Sequence, residues 1–79
     1  MTLVLDIGNT ALKWRVHHGQ GRAEGDCLHH RHWREVVDGL CADWAECVDQ
    51  VWVASVAGRA ADEELAGLLE KGFGVRPHF

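Results

Sequence analysis

Apolar and polar residues are arranged along this chain in three ways, and each way specifies a different kind of element. Leu3-Val4-Leu5, between Thr2 and Asp6, is an apolar run of strand length, so residues 2 to 6 are read as a first strand. Residues 11 to 17 alternate: Leu12, Trp14 and Val16 fall on one side, Lys13, Arg15 and His17 on the other. His18-Gly19-Gln20-Gly21 then supplies turn glycines. Residues 22 to 28 alternate again, with Arg22, Glu24 and Asp26 on one face and Ala23, Gly25 and Cys27 behind them. Folding these two segments about Gly19-Gln20 sets Arg15 opposite Glu24 and Lys13 opposite Asp26, and opposed charges favour that antiparallel register. The small residues behind leave room for Trp14.

The helical period takes over from residue 32. Trp33, Val36, Val37, Leu40, Cys41, Trp44, Cys47 and Val48 recur at helical spacing, which predicts a helix over 32–48 with Arg34, Glu35, Asp38, Asp43 and Glu46 on its other side. Gly39 weakens such a helix unless it permits a close contact. Gln50 to Val56 reads as a buried strand, because Val51-Trp52-Val53-Ala54 is apolar without alternation, as in the middle of a covered sheet. A second helix is expected over 59–71, with Ala61, Leu65, Leu68 and Leu69 inward, Asp62, Glu63 and Glu64 near its positive end and Lys71 near its negative end. Gly72 and Gly74 are candidate terminators. Val75 opens one more strand, with Pro77 near its end. The expected order is β-β-β-α-β-α-β, an α/β unit in which the helices cross over between parallel strands of a mixed sheet.

Composition narrows the function. With 79 residues the chain is a single domain of modest core. It carries 47% hydrophobic and 25% charged residues, as ordinary globular proteins do. A net charge of −4 without a basic block argues against nucleic acid and anionic membranes as partners. The N-terminus lacks the basic and long apolar stretches of a signal peptide, and no run approaches membrane-spanning length. Cys27, Cys41 and Cys47 form no C-x-x-C pair and are read as reduced, buried thiols of a cytoplasmic protein. His17, His18, His29, His30 and His32 match no zinc spacing. Trp14, Trp33, Trp44 and Trp52 are read as inward-facing core residues rather than a platform for bases. Ser55 has no His–Asp partnership in sequence and is taken as a strand-end residue.

The chemistry concentrates in Asp6-Ile7-Gly8-Asn9-Thr10, between the first two strands. A nucleotide phosphate with magnesium needs a carboxylate to hold the metal directly or through water, and a glycine that lets backbone N–H groups approach phosphate oxygens. Asn9 and Thr10 add side-chain donors.

Leu-Asp-Ile-Gly-Asn-Thr-Ala-Leu-Lys-Trp-Arg, from Leu5 to Arg15, resembles the start of type III pantothenate kinases. Val53-Ala54-Ser55-Val56 is similar to the strand end that follows the first helix in that family. The element order over all 79 residues resembles the opening half-domain of the acetate and sugar kinase, heat-shock ATPase and actin superfamily, the actin-like or ribonuclease H-like ATPase fold. The resemblance implies ATP-dependent phosphorylation of pantothenate, the first step of coenzyme A biosynthesis. It makes Asp6, Ile7, Gly8, Asn9, Thr10, Ala11, Leu12 and Lys13 the ATP phosphate loop, with Asp6 orienting Mg2+. For the full-length family it also implies a monovalent cation (K+ or NH4+) and a homodimer.

The family's Gly-x-Asp-Arg motif, which binds the acceptor and supplies the catalytic base, has no counterpart here; Gly58-Arg59-Ala60-Ala61-Asp62 does not fit it. No catalytic residue is therefore assigned. Residues 1–79 read as a single truncated half-domain, inactive alone and prone to self-association through apolar surfaces that a second half would cover. Two other functions fit the same residues: a regulatory or accessory module that binds a partner, and another small-molecule kinase of the superfamily. The Gly-Asn-Thr form of the turn argues against the latter.

Overall fold

In a computed structural model the structure describes residues 1–8, 11–18, 21–27 and 33–79. The elements follow in the order β1 (Thr2–Ile7), β2 (Leu12–His18), β3 (Gly21–Cys27), α1 (Trp33–Trp44), β4 (Gln50–Ser55) and α2 (Arg59–Phe73). The four strands form one mixed sheet in the order β3-β2-β1-β4. β1 runs antiparallel to β2 and parallel to β4, with Leu5 in register with Trp14 on one side and Val53 on the other. Both helices pack on the same face. Leu3, Leu5, Ile7, Leu12, Val16, Val51 and Val53 point from the sheet into one core with Trp33, Val37 and Leu40 of α1 and Leu65, Leu69 and Phe73 of α2.

The charge pattern of the hairpin is realised in its register: Arg15 is the partner of Glu24 and Lys13 the partner of Asp26. Gly25 is the partner of Trp14, and a Cβ there would stand 2.8 Å from three atoms of the indole. The glycine is thus required by the tryptophan across from it.

Several expectations need correction. The segment 50–56 is not covered on both faces: Val51 and Val53 are buried, while Gln50, Trp52 and Ala54 are exposed. Trp52 is 47% exposed, so only one face of β4 meets helices, and its indole is not core. Trp33 is buried, and Trp14 and Trp44 are partly buried against the core, as read from the sequence. Helix α1 stops at Trp44 instead of reaching residue 48. The Trp44 carbonyl accepts from both Cys47 N–H and Val48 N–H, and that tight turn carries Val48 into the core while leaving Cys47 exposed. Hydrophobic period therefore continued past the helix itself. Among the described residues no atom lies within 4 Å of a Cβ at Gly39, so it serves no close contact with them.

The close approach lies at Gly72 instead. Gly72 sits inside α2, and a Cβ there would collide with Cys41 Sγ of α1. Gly74 supplies the left-handed cap, with φ 71° and its N–H donating to the Glu70 carbonyl. The chain is still leaving that cap at Val75, so no seventh element of strand length forms. A single parallel bridge joins His78 to Trp52, with His78 N–H donating to the Val51 carbonyl and Val53 N–H to the His78 carbonyl. Of the five histidines that match no zinc spacing, His29, His30 and His32 lie outside the described residues.

Two predictions follow from the α1–α2 seam. Gly72→Ala should lower stability by about 1–3 kcal/mol, the cost of overpacking, and Cys41→Ala in the same chain should recover most of the loss. Urea denaturation of the two single variants and the double variant measures this; equal losses in the Gly72→Ala chain and the double variant would contradict it. Burial pushes the Cys41 thiol up in pKa, with Asp38 adding to the effect. Iodoacetamide near neutral pH should therefore label exposed Cys47 well before Cys41, as read by peptide mass mapping.

Candidate functional site

Parallel pairing brings the C-terminal ends of β1 and β4 side by side, with Ile7 in register with Ser55. Open α/β sheets bind ligands outside such strand ends. The chain reverses immediately after β1: Gly8 N–H donates to the Ala11 carbonyl at 2.8 Å. After β4, Val56 N–H donates back to the Ile7 carbonyl at 3.0 Å, which ties the two connections together.

The turn from β4 into α2 is held by one hydroxyl. Ser55 Oγ donates to Asp62 Oδ1 at 2.6 Å and accepts from Ala57 N–H at 3.1 Å. Gly58 takes a positive φ of 104°, which L side chains rarely adopt, and leaves α2 without a side-chain cap. The Ser55–Asp62 link thus does the work of fixing the helix start. From the sequence, Asp62 reads only as helix-start electrostatics and Ser55 as a strand-end residue without a partner. The available signal was a carboxylate in the first turn of the helix that follows a strand-terminal serine.

Between this turn and Gly8 lies a cavity of about 280 Å³. Ile7, Trp33 and Leu65 line it with core hydrocarbon, Val56, Ala57 and Ala61 with smaller side chains, and Asp62 adds a carboxylate. Arg34 lies over the Trp33 ring, with its guanidinium 4.7 Å from the ring centroid. The same guanidinium makes a bidentate pair with Glu64 of α2, at 2.7 and 2.6 Å. Both side chains are about half exposed, so the pair orients the wall more than it stabilises the fold.

The sequence-derived phosphate loop divides between the two faces of the sheet. Asp6 and Lys13 are exposed, and they are register partners across β1 and β2 on the face away from the helices. Neither lines the cavity. Ile7 and Leu12 are buried in the core, so any part they take in a phosphate loop is through their backbone. Gly8 and Ala11 are half-buried at the reversal. Asn9 and Thr10 lie outside the described residues. Among the described residues, no group of three or more His, Cys, Asp or Glu side chains could hold a metal ion.

The profile of type III pantothenate kinase matches residues 2–79. The chain belongs to the type III pantothenate kinase family. It is 40% identical over its full length to the type III pantothenate kinase of Alcanivorax borkumensis and covers 32% of that protein. It is 36% identical over 80 aligned positions to the enzyme so named in Saccharophagus degradans, covering 28% of it. The enzyme of the same name in Marinobacter nauticus is 36% identical over 72 residues, 91% of this chain and 28% of that one. The chain thus spans less than a third of the length of these type III pantothenate kinases. Conversely, the strand-end cavity and the Gly8 reversal both fall inside the matched region.

The Ser55 link can be checked by itself. Ser55→Ala leaves Ala57 N–H and Asp62 without their hydroxyl partner, and should cost about 1–2 kcal/mol in urea unfolding. Ser55→Thr, which keeps the hydroxyl, should lose less; equal losses would show that the hydroxyl has no such role.

Proposed function

We propose that this chain is the phosphate-binding portion of an ATP-dependent pantothenate kinase, an actin-like half-domain over residues 1–79. The observation that carries the reading is the Gly8 reversal at the parallel ends of β1 and β4, with Asp6 and Lys13 paired in register beside it. Asp6 to Lys13 is the ATP loop. Gly8, Asn9 and Thr10 present donors to phosphate oxygens, and Lys13 adds positive charge. Mg2+ keeps most of its waters and needs only one or two carboxylates, so a single exposed Asp6 suits it. When bound with ATP, the ion supplies charge neutralisation on the phosphates. The residues of this chain contribute position and electrostatics, which is what phosphoryl transfer asks of its protein.

The acceptor-binding and base-bearing Gly-x-Asp-Arg motif is not among these 79 residues. For K+ or NH4+ no residue of this chain is assigned. Among the described residues no helix is long and apolar enough to cross a membrane, and we place the kinase in the cytoplasm as a homodimer. A second reading, a partner-binding accessory module, draws on the open sheet face, where Val4 and Trp52 are register partners and both exposed.

The 79-residue chain should bind Mg–ATP weakly and turn over nothing. A coupled ADP-release assay with ATP and pantothenate should stay at background; robust turnover would overturn the division of labour proposed here. In calorimetry, Lys13→Ala should weaken Mg–ATP binding by about tenfold, roughly 1.4 kcal/mol. Unchanged affinity would remove Lys13 from the loop.

A further inference from the structure

The peptide unit that launches the phosphate loop is held by both of its polar groups. The Ile7 carbonyl accepts from Val56 N–H at 3.0 Å, and the Gly8 N–H donates to the Ala11 carbonyl at 2.8 Å. A planar unit engaged in this way cannot rotate without losing one of its bonds. Its orientation sets the direction in which the chain leaves β1 toward Asn9 and Thr10. Of the two anchors, Ala11 belongs to the loop itself. Val56 belongs to the turn between β4 and α2, which is therefore the loop's support from outside.

Little packing holds that turn. Val56 is 67% exposed, and Ala57 and Gly58 are exposed as well. Hydrogen bonds fix it instead, and Asp62 makes two of them. Its backbone N–H donates to the Gly58 carbonyl at 3.0 Å, and its carboxylate accepts from Ser55 Oγ at 2.6 Å. Ser55 Oγ in turn accepts from Ala57 N–H. The Ser55–Asp62 bond is part-buried, so water competes weakly for a short link to a charged acceptor. We propose that Ser55 and Asp62 are positioning residues for ATP: by fixing the turn that carries Val56, they hold the Ile7–Gly8 unit in the orientation from which the loop binds phosphate. This rests on the phosphate-loop reading of Asp6 to Lys13 and gives two residues outside the loop a share in its preorganisation. They act without touching the nucleotide. A loop ordered beforehand loses less conformational freedom on binding, so freeing the turn weakens Mg–ATP while leaving every contact to it in place. The coupling is reciprocal: Mg–ATP on the loop tightens the Ser55 turn.

The test compares Ser55→Ala, Asp62→Ala and the double variant with the unmodified chain, by amide hydrogen exchange and Mg–ATP titration read by NMR. Without nucleotide, Val56 N–H and Gly8 N–H should exchange at least about fivefold faster in each variant. Each single variant should bind Mg–ATP about fivefold more weakly, and the double variant no more weakly than either, because the two side chains form one link. Ser55→Thr, which keeps the hydroxyl, should restore both properties. Gly72→Ala is the control, since it loses stability at the other end of α2. It should keep Mg–ATP affinity within about twofold, as expected of a distant site. On the unmodified chain, Mg–ATP should slow exchange of Ala57 N–H; this arm stands even if a variant loses its dispersed spectrum. Unchanged exchange at Val56 and Gly8 in Ser55→Ala would overturn the assignment. So would additive losses in the double variant, an equal loss of affinity in Gly72→Ala, or an Ala57 amide indifferent to Mg–ATP. The shifts of Gly8 and Lys13 separate the two levels of the reading. If Mg–ATP moves neither in the unmodified chain, the phosphate loop falls and the positioning role with it. If both move and Ser55→Ala binds as tightly, the positioning role alone is refuted.

Discussion

Parallel pairing of β1 with β4 is the constraint from which the rest of the site follows. Two strands that run the same way finish at the same end of a sheet, so whatever follows each of them is brought together there. In this chain those connections are the Gly8 reversal and the Ser55–Gly58 turn, joined by the Val56–Ile7 hydrogen bond. The pairing is held by burial on one face only: Leu3, Leu5 and Ile7 on β1, Val51 and Val53 on β4. A one-residue slip of β4 would turn Val51 and Val53 outward and lift the Ser55 hydroxyl away from α2. Register and site geometry are therefore the same property seen at two scales.

The two helices are fitted to one another as closely as to the sheet. Gly72 lets α2 approach the Cys41 side chain of α1, and Arg34 of α1 reaches across to Glu64 of α2. The first contact sets the distance between the helices. The second sets the orientation of the Trp33 ring that forms a cavity wall. Apolar packing and a half-exposed ion pair thus divide the task, the former supplying most of the free energy and the latter direction.

Much of this was readable from residue pattern alone, for identifiable reasons. Alternating charges fixed the β2–β3 register because only one pairing sets Arg15 against Glu24 and Lys13 against Asp26. The apolar stripe located α1, but it could not mark the end, since a turn delivers Val48 to the core as well as another helical turn would. Trp52 reads as core in the sequence because an apolar run does not say whether a second layer exists to cover it. The Ser55–Asp62 contact crosses a strand–helix junction and depends on the positive φ of Gly58, which no periodicity reports. For the candidate site, sequence marked the Asp6–Lys13 loop, while the split between charged and apolar sides needed the sheet's faces to be known.

The His78 bridge has a bearing on solubility. Sheet edges with free carbonyl and amide groups recruit strands from neighbouring molecules. Along β4 the Val51 carbonyl and the Val53 amide are already taken by His78, and the Trp52 indole lies under the His78 imidazole at 4.5 Å. His78 thereby covers an edge whose sequence, Val-Trp-Val-Ala, has the β-propensity and lack of charge that favour fibril growth. Unpinning His78 would uncover a template for intermolecular assembly without disturbing a single buried side chain of the strand it covers.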